Sequence, residues 1–235
     1  SIAKRGVNLS QSSYCVSSID QWNCTSCDST MKLEYVIEEE DSRALQGFDT
    51  ITNTIFTSFR GSSNIHNWIE NIQIRKISPY NDSSIEIEKG FFKAYNFVKP
   101  QMIENLGILK NKYKTKDLFI TGHSLGAAMA TLMSYDIMSA LPEYNIKYFV
   151  NFGSPRVGNK EFVESFNSYN ISSYRVTHNY DMVPHLPEEF LGYSHISNEI
   201  WYNEQNNEYT ICDDNDEEDN SCLLYTSDAA DDWSS

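Results

Sequence analysis

Residues 122–126 read Gly-His-Ser-Leu-Gly, a spacing that suits nucleophilic catalysis at Ser124. A serine hydroxyl is a weak nucleophile until a base activates it and donors stabilise the oxyanion it creates. A strand that turns sharply into a helix lifts the serine oxygen clear of a sheet edge. Glycines two residues to either side permit that turn, because a Cβ at either would strike the neighbouring strand or helix. The surroundings predict this setting. Residues 116–121 form a short apolar run, and residues 125–141, rich in Ala, Met and Leu, read as a buried helix that stops near Pro142. At such a helix start the backbone N–H of Leu125 points at the developing oxyanion. A tight turn carrying an idle serine is the competing reading, and the strand-turn-helix setting weighs against it.

Such a nucleophile needs a base, and the base needs an acid to orient it. Asp181 falls in a loop after a predicted strand at residues 172–178, in the chain order serine then acid. Its competing role is that of a turn residue ahead of Pro184. His66, His123 and His178 precede this acid and do not fit the order. Only His185 and His195 follow it. His123, the variable residue of the turn, is expected to pack rather than react.

The elements that must position these groups follow from patterning. Residues 32–40, 43–49 and 53–59 are β-rich. From residue 63 the period changes: Ile65, Trp68, Ile69 and Ile72 share one face of a short helix. Residues 90–113 read as a longer amphipathic helix, with Pro100 a difficulty at its middle. Strands are expected at 116–121, 146–152 and 172–178, and helices at 125–141 and 160–168. This alternation predicts an α/β fold with a mostly parallel central sheet, flanking helices and antiparallel additions at one edge.

The chain has 235 residues, 40% of them hydrophobic, and a net charge of −15, so one globular domain is expected. The acidic balance argues against nucleic acid and against anionic lipid as partners. A lipid would have to be met through apolar contact, and no apolar run is long enough for stable membrane insertion. Asn8, Asn23, Asn81 and Asn170 head glycosylation sequons, and there are five cysteines, which together predict a secreted protein. Cys24 and Cys27 are expected to form a local disulfide, and the odd count leaves one sulfur without a partner. No second Cys-x-x-Cys or nearby His pair supports zinc. The acidic run 213–219 lacks the central glycine of a calcium loop and reads as solvated. Neither a metal nor an organic cofactor is expected.

Four segments in order resemble the class 3 (fungal-type) lipases: Phe59-Arg-Gly-Ser-Ser-Asn-Ile-His-Asn-Trp-Ile69, Gly122-His-Ser-Leu-Gly126, Phe152-Gly-Ser-Pro-Arg-Val-Gly-Asn159 and Asp181-Met-Val-Pro-His-Leu-Pro187. The resemblance spans about residues 14–212. It implies an α/β-hydrolase fold and hydrolysis of acylglycerols or related esters, with Ser124 as nucleophile and Asp181 as triad acid. It also implies an oxyanion hole formed by Ser62 and Leu125, although on chemistry alone Ser62 would serve equally as a helix cap. Residues 63–70 match the family's lid, and the apolar face of Ile65, Trp68 and Ile69 suits a lid that rolls onto lipid; a core-packed helix is the alternative. Arg156 and Asn159 belong to a structural motif with no assigned chemistry. The implied partner is a lipid or ester at an oil-water interface, met by a monomer. A phospholipase A1, a feruloyl-type esterase and a catalytically dead lipid-binding homologue are the alternatives.

One part of the pattern is missing. The family carries an Asp-His-x-x-Tyr-like segment well after the acid, and His185 and His195 match non-catalytic family positions. Residues 222–232 read Cys-Leu-Leu-Tyr-Thr-Ser-Asp-Ala-Ala-Asp-Asp instead, which resembles a translated sequencing-library adapter. A single lipase domain is therefore expected over residues 1–221, incomplete at its C-terminal end, with 222–235 a non-native tail and the chain inactive as it stands. In relatives the cysteine equivalent to Cys15 bonds one beyond the catalytic histidine, so Cys15 is expected to be unpaired. Cys212 is expected to pair just past the acidic run.

Overall fold

The computed structural model describes residues 1–72, 74–212 and Cys222. The expectations placed on residues 213–221 and 223–235 lie outside the described residues. In chain order the first half comprises α1 (Ile2–Ser12), β1 (Met31–Glu39), β2 (Ser42–Asp49), β3 (Thr54–Phe59), α2 (Ile65–Asn71), β4 (Lys76–Ile77), β5 (Ile87–Glu88) and α3 (Lys89–Tyr113). The second half comprises β6 (Asp117–His123), α4 (Leu125–Ala140), β7 (Asn145–Phe152), α5 (Lys160–Ser168), β8 (Ser173–His178), β9 (Glu199–Tyr202) and β10 (Tyr209–Ile211).

The main sheet has the order β1-β2-β3-β6-β7-β8-β9-β10. Its first three strands are antiparallel neighbours, and the run from β3 to β9 is parallel. The predicted α/β architecture and its antiparallel edge are therefore present. At the opposite edge β10 is antiparallel to β9, a pairing for which three residues offer no periodic signal. Every residue of β2 and β3 is buried, as befits strands covered on both faces.

Alternation along the strands feeds two cores. Ile55, Phe59, Leu118 and Ile120 face one layer, together with Phe91, Tyr95, Val98, Met102, Leu106 and Leu109 of α3, and with residues of α4 and α5. Phe56 and Phe119 face the other, with Leu9 of α1, Ile19, Met31 and Leu45. The long helix runs through Pro100. Its ring sits on the exposed side while Val98 and Met102 are wholly buried, so packing offsets the one hydrogen bond a proline cannot donate. Disulfides join Cys24 to Cys27, as expected, and Cys212 to Cys222, the first residue of the stretch read above as a non-native tail; Cys15 is free. Among the described residues no helix is long and apolar enough to cross a membrane.

Candidate active site

Strands β3, β6, β7 and β8 lie side by side and parallel, so the residues just past their carboxyl ends meet at one edge of the sheet. Those residues include Ser62, Ser124, Gly153 and Asp181. The crevice outside the carboxyl ends of such strands is where open α/β sheets bind ligands.

Ser124 joins β6 to α4 at φ 57° and ψ −128°, a region that costs a non-glycine residue about 1–3 kcal/mol. Its N–H donates to the Phe152 carbonyl at 3.0 Å, which ties the turn to β7. A Cβ on Gly122 would lie 2.2 Å from the Gly126 carbonyl oxygen, and one on Gly126 would lie 2.3 Å from the Phe59 carbonyl oxygen. The two glycines thus allow the helix start to press against its own strand and against β3. The Ser124 side chain is buried, and its Oγ has no hydrogen-bond partner among the described residues.

Leu125 opens α4, so its N–H is one of the first-turn donors that no intrahelical acceptor satisfies. Ser62 lies three residues past β3. Its hydroxyl donates to the Asn64 carbonyl at 3.1 Å and accepts from the Asn64 N–H at 3.3 Å, which leaves its side chain engaged in its own turn. Ser62 and Leu125 border one cleft of about 590 Å³, together with Trp68, Ile72, Glu88 and Phe91.

The short helix α2 stands over this cleft. Asn64 caps it by accepting from the Asn67 N–H. Trp68 stacks on Phe91 with ring centroids 6.0 Å apart, and Ile72 packs against the main core. Ile69 is half-buried and Ile65 is exposed. The apolar face predicted from spacing is therefore divided, its N-terminal end open and its C-terminal end seated.

Asp181 occupies the loop after β8. Its Oδ1 accepts from the Val183 N–H at 3.0 Å and its own N–H donates to the His178 carbonyl. Its Oδ2 lies 2.7 Å from where a Cβ on Gly153 would sit, and His123 Nε2 lies 3.7 Å from the same point. Asp181, His123, Phe152, His178 and Tyr202 border a second cleft, of about 660 Å³. Ser124 thus lies between a cleft lined by Ser62 and Leu125 and a cleft lined by Asp181.

The histidines are placed as follows. His66 is exposed on α2 beside Glu70, and His178 lines the Asp181 cleft. His195 donates from Nε2 to the Pro184 carbonyl at 2.7 Å. Burial first, then the nearby Arg175 and Arg156, hold it well below the usual histidine range. His123 is also pushed down by burial, against the opposing charge of Asp181. None of them hydrogen-bonds Ser124 Oγ.

Two contributors carry no chemical signal in the sequence. Arg156 donates from Nη1 to the His185 and Pro187 carbonyls, at 2.6 and 3.0 Å, and so braces the loop that follows Asp181. Tyr14 is hydrogen-bonded to His123 across 109 positions of sequence. The motif at residues 152–159 marks Arg156 as structural; nothing local could have flagged Tyr14. Among the described residues no group of three or more His, Cys, Asp or Glu could hold a metal ion.

Lipases are among the known proteins most similar to this chain. The chain is 32% identical over 202 residues to a lipase of Rhizomucor miehei, covering 82% of this chain and 55% of that protein. It is 28% identical over 194 residues to secreted mono- and diacylglycerol lipase A of Penicillium cyclopium, covering 81% and 63%. A solved structure described as a triacylglycerol lipase whose catalytic centre is a serine protease triad superposes with a TM-score of 0.84 at 28% identity, covering 94% of this chain and 88% of that one. The chain spans a little over half the length of these curated relatives. The lipase (class 3) family profile matches residues 56–191, more than half of the 235 residues, and the chain, with its α/β-hydrolase sheet, belongs to that family.

Proposed function

We propose that this chain carries the nucleophile, acid and oxyanion-hole residues of a secreted serine esterase that cleaves acylglycerol ester bonds. The observation that carries the reading is the strained Ser124 at a strand-to-helix turn, flanked at the same sheet edge by Ser62 and Asp181. In this reading Ser124 Oγ attacks the ester carbonyl and a histidine takes its proton. The Leu125 and Ser62 N–H groups hold the oxyanion, and the alcohol departs with the proton returned by the histidine. Water then repeats the sequence on the acyl-enzyme. Asp181 holds the histidine's tautomer and supports its charge. The relative with a serine protease triad and the secreted acylglycerol lipase support the reading, as do the sequons and disulfides for secretion.

The base itself is expected from the family's Asp-His segment, and in this sequence no histidine follows His195. With His185 and His195 at positions that resemble non-catalytic ones, we propose that the 235 residues alone are inactive. The test is to read the source transcript past the codon for Ser221, secrete the resulting protein from yeast and assay tributyrin. Turnover is expected, with Ser124→Ala lowering it by at least about 10⁴-fold. A loss under tenfold would sink Ser124 as nucleophile. Cleavage of phosphatidylcholine but not tributyrin would favour the phospholipase alternative. Absence of both, with no later histidine in the true reading, would favour a lipid-binding homologue.

A further inference from the structure

Tyr14 lies just beyond α1, far in sequence from Ser62, Ser124 and Asp181, yet its hydroxyl reaches the centre of the site. It lies 2.7 Å from His123 Nδ1 and accepts from the Gly61 N–H at 3.1 Å. The two rings meet edge to face with centroids 5.8 Å apart. Gly61 is pressed into the same spot: a Cβ there would lie 2.4 Å from the Tyr14 oxygen, 2.6 Å from the His123 carbonyl oxygen and 3.0 Å from Ser124 Cβ. One hydroxyl therefore touches both chain segments that must keep register for an oxyanion hole, the turn bearing Ser124 and the loop bearing Ser62.

We propose that Tyr14 is a positioning residue that clasps the Gly61-Ser62 loop to the nucleophile turn through His123, and so sets the direction of the Ser62 N–H. This role rests on the reading of Ser124 as nucleophile. Burial keeps the phenol protonated, and a buried hydroxyl proton needs an acceptor. With its oxygen already receiving the Gly61 N–H, Tyr14 gives its proton to His123 Nδ1. His123 must then carry its own proton on Nε2. That atom and Asp181 Oδ2 both lie near Gly153, 3.7 and 2.7 Å from where a Cβ there would sit. The clasp thus joins the oxyanion loop to the nucleophile turn, and His123 acts in it as a fixed neutral acceptor at Nδ1.

Tyr14→Phe tests this, because it keeps the ring packing and removes only the hydroxyl. The first readout needs no activity and uses the 235-residue chain. Long-range proton–nitrogen NMR is expected to show His123 with Nδ1 bare and Nε2 protonated in the wild type. In Tyr14→Phe the Gly61 amide should exchange with solvent at least about tenfold faster, while amides of β6 and α4 stay protected. A wild-type His123 protonated on Nδ1, or Gly61 exchange unchanged within twofold, would overturn the clasp. The second readout uses the transcript-derived protein. There kcat should fall about 10- to 100-fold with KM unchanged within twofold, as for a weakened oxyanion donor. No change in kcat, or a rise in KM alone, would overturn the positioning role. A wild type that hydrolyses no ester would remove the esterase reading, and with it the catalytic part of the role, and the NMR readout would still decide the clasp.

Discussion

The carboxylate of Asp181 is fixed by its own loop. The Val183 N–H donates to Oδ1 at 3.0 Å, and Oδ2 lies on the Gly153 side, 2.7 Å from where a Cβ there would sit. A carboxylate so held accepts hydrogen bonds in a set direction, which is what an acid orienting an imidazole requires. Asparagine at this position can keep the Val183 bond through its carbonyl oxygen, but its NH₂ would then donate where Oδ2 accepted. Asp181→Asn is therefore expected to lower kcat of the transcript-derived protein by about 10⁴-fold while the melting temperature hardly moves. A loss smaller than about tenfold in a tributyrin assay would mean that another acid serves the site. The two conditions together separate an orienting role from a structural one, since a merely structural aspartate would register first in the melting temperature.

Helix α2 has seven residues, too few to be stable without packing. Its seat is narrow: Trp68 on Phe91 and Ile72 on the main core, with Ile65 left to solvent. An element held by so few contacts can leave its seat when a lipid surface offers its apolar side chains an alternative. Removing the Trp68 ring takes away both the cover over the cleft and the largest side chain available to lipid. Trp68→Ala is therefore expected to reduce hydrolysis of emulsified tributyrin several-fold more than hydrolysis of a dissolved short-chain ester. Equal losses on both substrates would identify α2 as an ordinary packed helix and remove the lid from the account. Sequence spacing alone left those two readings open, and this pair of assays decides between them.

Across the whole molecule the pH response of stability follows from histidines kept neutral by the fold. Burial lowers the affinity of both His195 and His123 for a proton, so as pH falls through about 6.5 the unfolded chain binds that proton before the folded one does. Each histidine then removes up to about 1.4 kcal/mol of stability per pH unit until its folded-state value is reached. The buried Glu88 acts in the opposite sense, because burial raises its affinity for a proton. Its contribution is fully present below the ordinary glutamate range and is lost as pH rises through the raised value. Urea unfolding at pH 7, 6 and 5 should therefore show a steeper loss toward acid in the wild type than in His195→Gln. Parallel curves would mean that His195 takes up its proton equally in both states.

What the sequence determined by itself was local. The strand, turn and helix around Ser124 are each set by residues within a few positions of one another. The same holds for the three β-rich runs before residue 60, for the amphipathic stretch that becomes α3, and for the loop position of Asp181, so the α/β order and the site motifs were legible. Where the sequence warned of trouble at Pro100, tertiary packing of Val98 and Met102 overrode the local cost. Strands β9 and β10 escaped notice because they span only four and three residues, too few to show a period; α1 escaped although its residues are segregated at the helical period. The tertiary structure alone decided which side chains face one another across the sheet edge. It set Tyr14 against His123 over 109 positions, Arg156 against the carbonyls at 185 and 187, and Ser124 between two clefts. Periodicity reports which face of an element is buried, whereas contacts between distant segments depend on strand order and on how helices lie across the sheet, and no short window of sequence contains either.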